Sequence, residues 1–157
     1  MMFFDGSLRQ AIHRLKYASA RDVVKPLAEM MIQFWRETPL PADVVVPVPL
    51  HPHRQRERGY NQSMLLAQAF GSAAELAVAD KVLFRRRNTV SQTTLDAEQR
   101  RENVSGAFEC APAAVQDRRV LLIDDVCTTG ATLEACSVAL KAGGARSVWA
   151  LTLARAK

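Results

Sequence analysis

The sequence predicts one α/β domain built on a mostly parallel sheet, because short aliphatic runs alternate with helical patterns along the chain. The runs at 44–46 (VVV) and 120–123 (VLLI) are apolar at every position, as expected for strands covered by helices on both faces. No internal repeat and no linker-like stretch interrupts the 157 residues. Since this length is typical of one domain, we expect residues 1–157 to form a single unit.

The helices and strands can be assigned from residue spacing and composition. Helical spacing of apolar residues predicts helices at 5–17, 22–36, 61–76 and 131–142, and a shorter helix at 96–103. Aliphatic and β-branched runs predict strands at 44–48, 81–84, 104–108, 120–123 and 147–153. Asn61 is a suitable N-cap, and Gly143-Gly144 is a suitable helix stop. The prolines that begin at Pro47 predict a stiff loop, since proline cannot donate within a central strand.

Composition excludes several classes of protein. With 48% hydrophobic and 24% charged residues, the chain has the make-up of a globular domain. No apolar run has the length of a membrane span, and no basic-then-apolar segment opens the chain, so we expect no membrane association and a cytoplasmic location. The cysteines are odd in number and form no CxxC pair, and only two histidines lie close together. We therefore expect neither a disulfide framework nor a zinc site.

The balance of charge points to an anionic partner. The net charge is +5 and the pI is about 9.5, with basic residues concentrated at 54–58, 85–87 and 100–101. On charge alone, the partner could be nucleic acid, a membrane surface or a phosphorylated metabolite. Direct binding of single-stranded DNA has the weakest support, because aromatic residues make up only 6% of the chain and few lie among the arginines.

The stretch from Val120 to Thr132, VLLIDDVCTTGAT, carries the strongest functional signal. It places Asp124 and Asp125 at the carboxyl end of a buried parallel strand, where ligands of open α/β sheets bind. Small residues then follow where a helix begins, and there free N–H groups and the helix dipole favour an anion. Gly130 permits close approach of the backbone. Two acids beside a phosphate cradle together predict a site for a phosphorylated sugar.

Simpler interpretations compete with each half of this motif. The acids alone could cap a helix, and the TTGAT segment alone could be an ordinary turn. Their fixed spacing after four aliphatic residues favours the functional interpretation. Two common nucleotide-binding motifs do not occur, since the chain contains neither GxxxxGK[ST] nor a GxGxxG sequence after a strand.

The same stretch resembles the 5-phosphoribosyl-1-pyrophosphate (PRPP) signature of the type I phosphoribosyltransferases. Further positions resemble the ComF/GntX branch of that superfamily, and the likeness extends over nearly the whole chain. These positions are RERGYNQ at 56–62, together with Gln92, Arg100, Asn103, Ala107 and Phe108. Cys127 departs mildly from the signature, which usually has an aliphatic residue there. The resemblance implies a three-layer type I phosphoribosyltransferase-like fold around a mostly parallel central sheet.

The resemblance also implies an activity and a set of site residues. The activity is Mg²⁺-dependent transfer of phosphoribose from PRPP to a nitrogen acceptor, nucleobase-like, with release of pyrophosphate. The catalytic acids, which bind the ribose hydroxyls near the metal, would be Asp124 and Asp125. The 5′-phosphate would be held by Thr128, Thr129, Gly130, Ala131 and Thr132. The pyrophosphate would be held by Leu50, His51, Arg54 and Arg58.

A flexible lid and a hood complete the implied site. Residues 85–101 are polar and lack a core pattern, as lids and binding loops often do. The lid residues would be Arg87, Gln92 and Arg100. A hood over the acceptor would come from the helical hairpin at 1–38, because the sequence ends shortly after its last strand. Longer members of the branch carry an N-terminal cysteine-rich zinc module, which these residues do not contain, and dimers are common in the superfamily.

Two functions of different kinds therefore remain open. The first is the phosphoribosyltransferase just described, whose acceptor the sequence does not identify. The second is a non-catalytic protein of the same fold that binds PRPP or a nucleotide and serves DNA uptake or regulation. ComF relatives are linked to competence, so a competence machinery or nucleic acid is a possible partner.

Overall fold

The computed structural model describes residues 2–3, 6–17, 21–88, 97–111 and 114–155, and every structural statement below refers to these. The helices are α1 (Gly6–Tyr17), α2 (Val24–Glu37), α3 (Pro52–Arg58), α4 (Gln62–Ala74), α5 (Ala97–Val104) and α6 (Ala131–Ala142). The strands are β1 (Met2–Phe3), β2 (Val44–Pro47), β3 (Ala77–Val78), β4 (Leu83–Arg85), β5 (Phe108–Cys110), β6 (Arg119–Cys127) and β7 (Ser147–Arg155). A short 3₁₀ turn, Arg21–Val23, precedes α2.

Five parallel strands form the main sheet in the order β1-β7-β6-β2-β3. The strand β6 lies at its centre and pairs with β2 on one side and with β7 on the other. This arrangement confirms the predicted α/β class with a mostly parallel sheet. The strands β4 and β5 form a separate antiparallel pair outside it.

Each face of the main sheet is covered by its own apolar layer. Leu121 and Ile123 of β6 pack with side chains of α1, α2 and α4 on one face. Val120 and Leu122 pack on the other face with side chains of α6, α5 and the β4–β5 pair. Because successive residues of a strand point to opposite faces, a strand buried on both sides must be apolar at every position. The aliphatic run at the start of the central motif follows from this requirement.

The structure corrects the predicted loop after β2. Pro47 belongs to the strand. Val48 donates its N–H to the carbonyl of Ile123 on β6, so the backbone nitrogen of Pro47, which carries no hydrogen, faces the opposite edge of the strand. That side is open at this level, because β3 pairs only with Val44 and Val45. The residues from Pro52 form the helix α3, for which proline in the first turn is favourable. This helix was not predicted from the sequence, because its prolines are also typical of loops.

The strand predicted at 104–108 is also misplaced. Val104 is the last residue of α5, and β5 runs from Phe108 to Cys110. Gly106 separates the two with a left-handed φ of 62°, which favours glycine. The short strands β1 and β3 were not predicted, since two residues carry no alternation pattern. Among the described residues, no helix has the length and apolarity needed to span a membrane.

The amino ends of β2 and β6 are joined by a paired aspartate and arginine. The N–H of Arg119 donates to Oδ2 of Asp43 at 2.8 Å, and Nε of Arg119 lies 3.1 Å from both carboxylate oxygens. The N–H of Asp43 donates in return to the Arg119 carbonyl at 2.8 Å. These hydrogen bonds lower the pKa of Asp43 to about 2.

This pair predicts a specific loss of stability in acid. A lowered carboxyl pKa stabilises the fold above the ordinary value of 3.8, and that stabilisation disappears as the pH falls toward about 2. We expect Asp43→Asn to unfold at lower urea than wild type at neutral pH and to show a weaker decline below pH ~4. Asp22→Asn, which removes the exposed pair between Asp22 and Arg14, is the control. Equal acid sensitivity of Asp43→Asn and wild type would contradict this role.

Candidate functional site

The predicted acids lie where the sheet topology directs them. Asp124 and Asp125 are in the carboxyl-terminal half of β6, which continues through residues 128–130 into α6. The neighbouring strand β2 ends at Pro47 and leads into the loop that precedes α3. Because parallel strands end at the same edge of the sheet, the predicted phosphate loop and pyrophosphate loop emerge beside each other.

Asp124 is half-buried, and one of its two carboxylate oxygens accepts hydrogen bonds from the protein. Its Oδ1 accepts hydrogen bonds from Oγ of Ser63 at 2.7 Å and from the N–H of Asp125 at 2.9 Å. Its Oδ2 accepts no hydrogen bond from any residue in the described part of the chain. Burial and the neighbouring charge of Asp125 raise the pKa of Asp124 to about 7, against the opposing effect of the Ser63 hydrogen bond.

Asp125 is more deeply buried, with 3% of its surface exposed. Its Oδ1 accepts from the N–H of Val126 at 2.8 Å. Its Oδ2 lies 2.8 Å from Nζ of Lys16, at the end of α1. This second contact is an ion pair rather than a hydrogen bond of regular geometry. Both oxygens of Asp125 are therefore engaged by the protein.

The turn between β6 and α6 has the features of an anion cradle. Gly130 adopts a left-handed conformation with φ of 86° and precedes the twelve-residue helix α6, which has no side-chain cap. A Cβ added to Gly130 would meet no heavy atom within 4 Å, so the space beside it is open. Thr129 Oγ1 accepts from the N–H of Ala131 at a long 3.4 Å. The amino end of α6 follows this turn, and the positive end of its helix dipole therefore lies beside Gly130.

The predicted pyrophosphate residues follow β2 but are not all free to turn toward the acids. Leu50 and His51 line a cleft of about 630 Å³ between the α3 loop and β4. Arg58, at the end of α3, donates to Gln62 Oε1 at 2.6 Å and lies 5.3 Å from the centre of the Tyr17 ring. Arg54 is half-buried on α3.

The predicted lid lies only partly within the described residues. Arg87 donates to the carbonyls of Ser105 at 3.0 Å and of Asn103 at 3.3 Å, so it binds the chain at the end of α5. The backbone of Arg100 belongs to α5. Gln92 lies outside the described residues. The lid function of the three residues stays a prediction.

Within the described residues of the predicted hood, the last turn of α1 reaches the acids. The helix α2 packs against the sheet face through Leu27, Met31 and Ile32. The last turn of α1, in contrast, contributes Lys16 to Asp125, and its Leu15 carbonyl accepts a hydrogen bond from the Tyr60 hydroxyl. A hood over the acceptor stays a prediction, and the end of α1 is the part of the hairpin that could supply it.

Sequence interpretation missed three polar residues at this site. Lys16 and Ser63 contact the acids from α1 and α4. Arg85 is only 8% exposed and lies 5.4 Å from the Phe108 ring centre. Burial lowers the pKa of Arg85, as does the nearby Arg54, while the charge of Asp124 opposes this shift. Of the three, Arg85 could have been recognised from the sequence as a buried residue, because it directly follows an aliphatic strand pattern and so occupies an inward-facing position.

A comparison with protein families identifies the chain. The model of the phosphoribosyl transferase domain matches residues 27–157, which is most of the sequence. The chain belongs to the phosphoribosyl transferase domain family. Within this family it is similar to competence protein F of Haemophilus influenzae, with 34% identity over 149 residues, covering 94% of this chain and 61% of the relative.

Two other relatives give the same result for this phosphoribosyl transferase domain protein. DNA utilization protein YhgH of Salmonella typhi is 34% identical, over 92% of this chain and 65% of that protein. Competence protein ComFC of Bacillus subtilis is 27% identical, over 97% of this chain and 61% of that protein. The chain therefore spans less than two thirds of the length of these relatives. They confirm the resemblance to the ComF branch.

Solved structures confirm the fold of the domain. The glutamine PRPP amidotransferase from Bacillus subtilis, complexed with ADP and GMP, superposes with a TM-score of 0.61 at 20% identity, over 89% of this chain and 30% of that chain. Adenine phosphoribosyltransferase from Leishmania donovani superposes with a TM-score of 0.51 at 15% identity, over 86% of this chain and 53% of that chain. At these identities the likeness concerns the fold alone, which is the type I phosphoribosyltransferase fold predicted from the sequence.

The raised pKa of Asp124 predicts how stability changes with pH. A carboxyl whose pKa rises from 3.8 to about 7 on folding stabilises the protein below the lower value, and this contribution is lost as the pH rises through the higher one. Asparagine keeps an oxygen acceptor for Ser63 without the charge. At pH ~8 we expect Asp124→Asn to be more stable than wild type by about 1–3 kcal/mol in urea unfolding.

The difference between the two proteins should shrink as the pH is lowered to ~4, where the wild-type carboxyl is protonated in the fold. Asp22→Asn, on the exposed surface, is the matched control and should show no such pH dependence. If Asp124→Asn were more stable than wild type by the same amount at both pH values, the raised pKa of the buried Asp124 carboxyl would not be the cause of the difference.

Proposed function

We propose that the protein is a Mg²⁺-dependent phosphoribosyltransferase that binds PRPP and transfers phosphoribose to a nitrogen acceptor, nucleobase-like, with release of pyrophosphate. The observation that carries this proposal is the combination of an open carboxylate oxygen on Asp124 and an uncapped helix start at Gly130, joined by one strand and one turn. Membership of the phosphoribosyl transferase domain family supports it.

Binding of PRPP follows from the two halves of the site. The 5′-phosphate would accept hydrogen bonds from the N–H groups of residues 128–132, where the helix dipole favours a negative charge. A ribose hydroxyl would donate to Oδ2 of Asp124. The hydrogen bond from Ser63 holds the other oxygen and so fixes the plane of the carboxylate. The site would thus bind a sugar phosphate both through its phosphate and through a ribose hydroxyl.

Transfer of the ribose requires stabilisation of separating charge. As the C1–O bond breaks, the ribose becomes cationic and the pyrophosphate gains negative charge. Arg54 and the buried Arg85 lie near enough for one to affect the pKa of the other, and together they would favour an anion between them. A closed segment 85–101 would keep water from capturing the cationic ribose.

The residues present fit a magnesium ion held mainly by the substrate. Among the residues that the structure describes, no cluster of three or more His, Cys, Asp or Glu side chains could hold a metal. Asp125 has both oxygens engaged, so Asp124 Oδ2 is the carboxylate oxygen of the pair that could approach the ion. Magnesium, when bound with PRPP, neutralises the pyrophosphate charge. A cytoplasmic location and a homodimer remain expectations within this proposal.

A second function is favoured by the names of the relatives. Proteins called competence protein F and DNA utilization protein YhgH are 34% identical to this chain over the 149 residues that align. Because these names refer to competence and DNA utilization, the second candidate is a non-catalytic protein of this fold that binds PRPP or a nucleotide and assists DNA uptake, with nucleic acid or a competence machinery as its partner. Binding without turnover distinguishes this function from the enzyme.

An assay of pyrophosphate release tests the proposed activity. The protein is incubated with PRPP, Mg²⁺ and a panel of purine and pyrimidine bases, and pyrophosphate is followed over time. We expect release with at least one base, and we expect the double variant Asp124→Asn/Asp125→Asn to lose it, falling by at least about 100-fold. Asp22→Asn should retain the wild-type rate because Asp22 lies on the exposed surface. PRPP binding without release across the panel would favour the accessory function instead.

The phosphate cradle can be tested apart from turnover. Gly130→Ala forces a side chain into a left-handed backbone conformation, which costs about 1–2 kcal/mol of stability, and places a methyl group in the open space beside the helix start. We expect it to weaken PRPP binding by about tenfold in calorimetry, equivalent to ~1.4 kcal/mol.

Gly106→Ala is the matched control for this experiment. Gly106 has a left-handed φ of 62° and the same open surroundings, but it lies between α5 and β5. It should lose similar stability and keep its affinity for PRPP. Equal loss of affinity in both variants would show that strain, rather than the cradle, is responsible.

A further inference from the structure

The positive charge of the chain is concentrated in two helices. The helix α1 contains two arginines, one lysine and no acidic residue, and α3 contains three arginines and one glutamate. Together these helices carry a charge of +5, which equals the formal net charge of all 157 residues. The rest of the sequence is therefore balanced in charge, and the excess belongs to residues 6–17 and 52–58.

The two helices meet at their carboxyl ends. The guanidinium carbon of Arg58, the last residue of α3, lies 5.3 Å from the ring centre of Tyr17, the last residue of α1. Tyr60, just after α3, donates its hydroxyl to the carbonyl of Leu15 in α1. No residue of α3 is buried. The exposed residues of 6–17 and 52–58 thus form one cationic region, here called the α1–α3 surface.

An exposed aromatic ring lies within the α1–α3 surface. Tyr17 is 68% exposed even though Arg58 lies over its ring. His13, one helical turn earlier, places its ring centre 4.8 Å from that of Tyr17. Tyr60, the aromatic residue closest to the arginines in sequence, is only 9% exposed and cannot offer its ring to a ligand. The packing of α1 beside α3 therefore supplies an aromatic ring among the arginines that is not apparent from the sequence.

This combination of groups is suited to single-stranded nucleic acid. Arginines attract the phosphates, and an exposed aromatic ring stacks on a base whose faces are not covered by pairing and stacking in a duplex. An anionic membrane surface would also attract the cations, but a helix that lies in a membrane needs an exposed apolar face. The apolar residues of α1 are buried in the core, and α3 has no aliphatic residue.

We propose that the α1–α3 surface binds single-stranded nucleic acid, with Tyr17 stacked on a base and the neighbouring arginines on the phosphates. This function goes beyond the transfer of phosphoribose, because it requires neither PRPP nor turnover. The α1–α3 surface ends beside the acids, since Nζ of Lys16 lies 2.8 Å from Asp125. A bound strand would therefore lie next to the proposed PRPP site.

Fluorescence anisotropy with a labelled oligothymidylate or oligouridylate of about 20 nucleotides tests the role of the ring. We expect wild type to bind at least one of these strands, and to bind a duplex of the same length at least about tenfold more weakly. Tyr17→Ser should raise the dissociation constant for the single strand by about tenfold, because the stacking face is lost. Tyr17→Phe keeps that face and should bind within about twofold of wild type.

A pair of charge variants tests the role of the arginines. Arg56 is exposed on α3, and Arg118 is exposed before β6, at the edge of the sheet opposite to the acids. Both Arg56→Gln and Arg118→Gln remove one positive charge. We expect Arg56→Gln to bind the single strand about threefold more weakly, and to reduce the slope of log affinity against log salt by about 0.7. Arg118→Gln should leave both quantities unchanged.

Several results would overturn the proposal. Equal affinity for duplex and single strand, or equal losses in Arg56→Gln and Arg118→Gln, would mean that net charge alone attracts the nucleic acid. Tyr17→Ser with wild-type affinity would exclude stacking on this ring. Binding to vesicles of phosphatidylserine and phosphatidylcholine, without binding to either strand, would assign the surface to a membrane instead. The assay contains no PRPP, so these results leave the proposed transferase to be tested separately by pyrophosphate release.

Discussion

The pairing of β6 with β2 and β7 determines how the site is assembled. The register joins Val44 to Val120 and Pro47 to Ile123, so β2 ends level with the start of the acid pair. On the other side, the pairing with β7 continues to Cys127 and keeps the strand ordered past both acids. Because all these strands are parallel, the turns that follow them open at one edge. This edge therefore brings together the acids, the glycine turn and the α3 loop. No contact between their side chains is needed to place them there.

Burial of charge at that edge explains the arrangement of the remaining polar residues. Asp125 is paired with Lys16, while Asp124 accepts hydrogen bonds from a hydroxyl and an N–H, and its pKa is raised by burial and by the charge of Asp125. Arg85 is likewise buried, and its pKa is lowered by burial and by Arg54. Burial disfavours the charged forms of Asp124 and Arg85, and a ligand that brings hydroxyl donors and negative charge would offset that cost.

Local signals predicted the parts of the structure that depend on neighbouring residues. Asn61 does cap α4, since its side chain accepts from the N–H of Ser63 at 3.0 Å, and the glycine turn does precede a helix. The helix α3 was missed because its prolines are also typical of loops, and β5 was misplaced because one glycine separates it from α5. The contacts of Lys16 and Ser63 with the acids could not be predicted, because each depends on how distant segments pack. The pattern of a helix face shows which side is buried but not which polar group it meets.

We propose that the turn after β6 binds the phosphate of PRPP. NMR titration of ¹⁵N-labelled protein with PRPP and Mg²⁺, following the backbone amides of residues 128–132, tests this proposal. We expect large, saturable shifts of these amides and little change in α2, which packs on the sheet face through its buried residues. Shifts confined to other segments, with the amides of residues 128–132 unchanged at saturation, would contradict it.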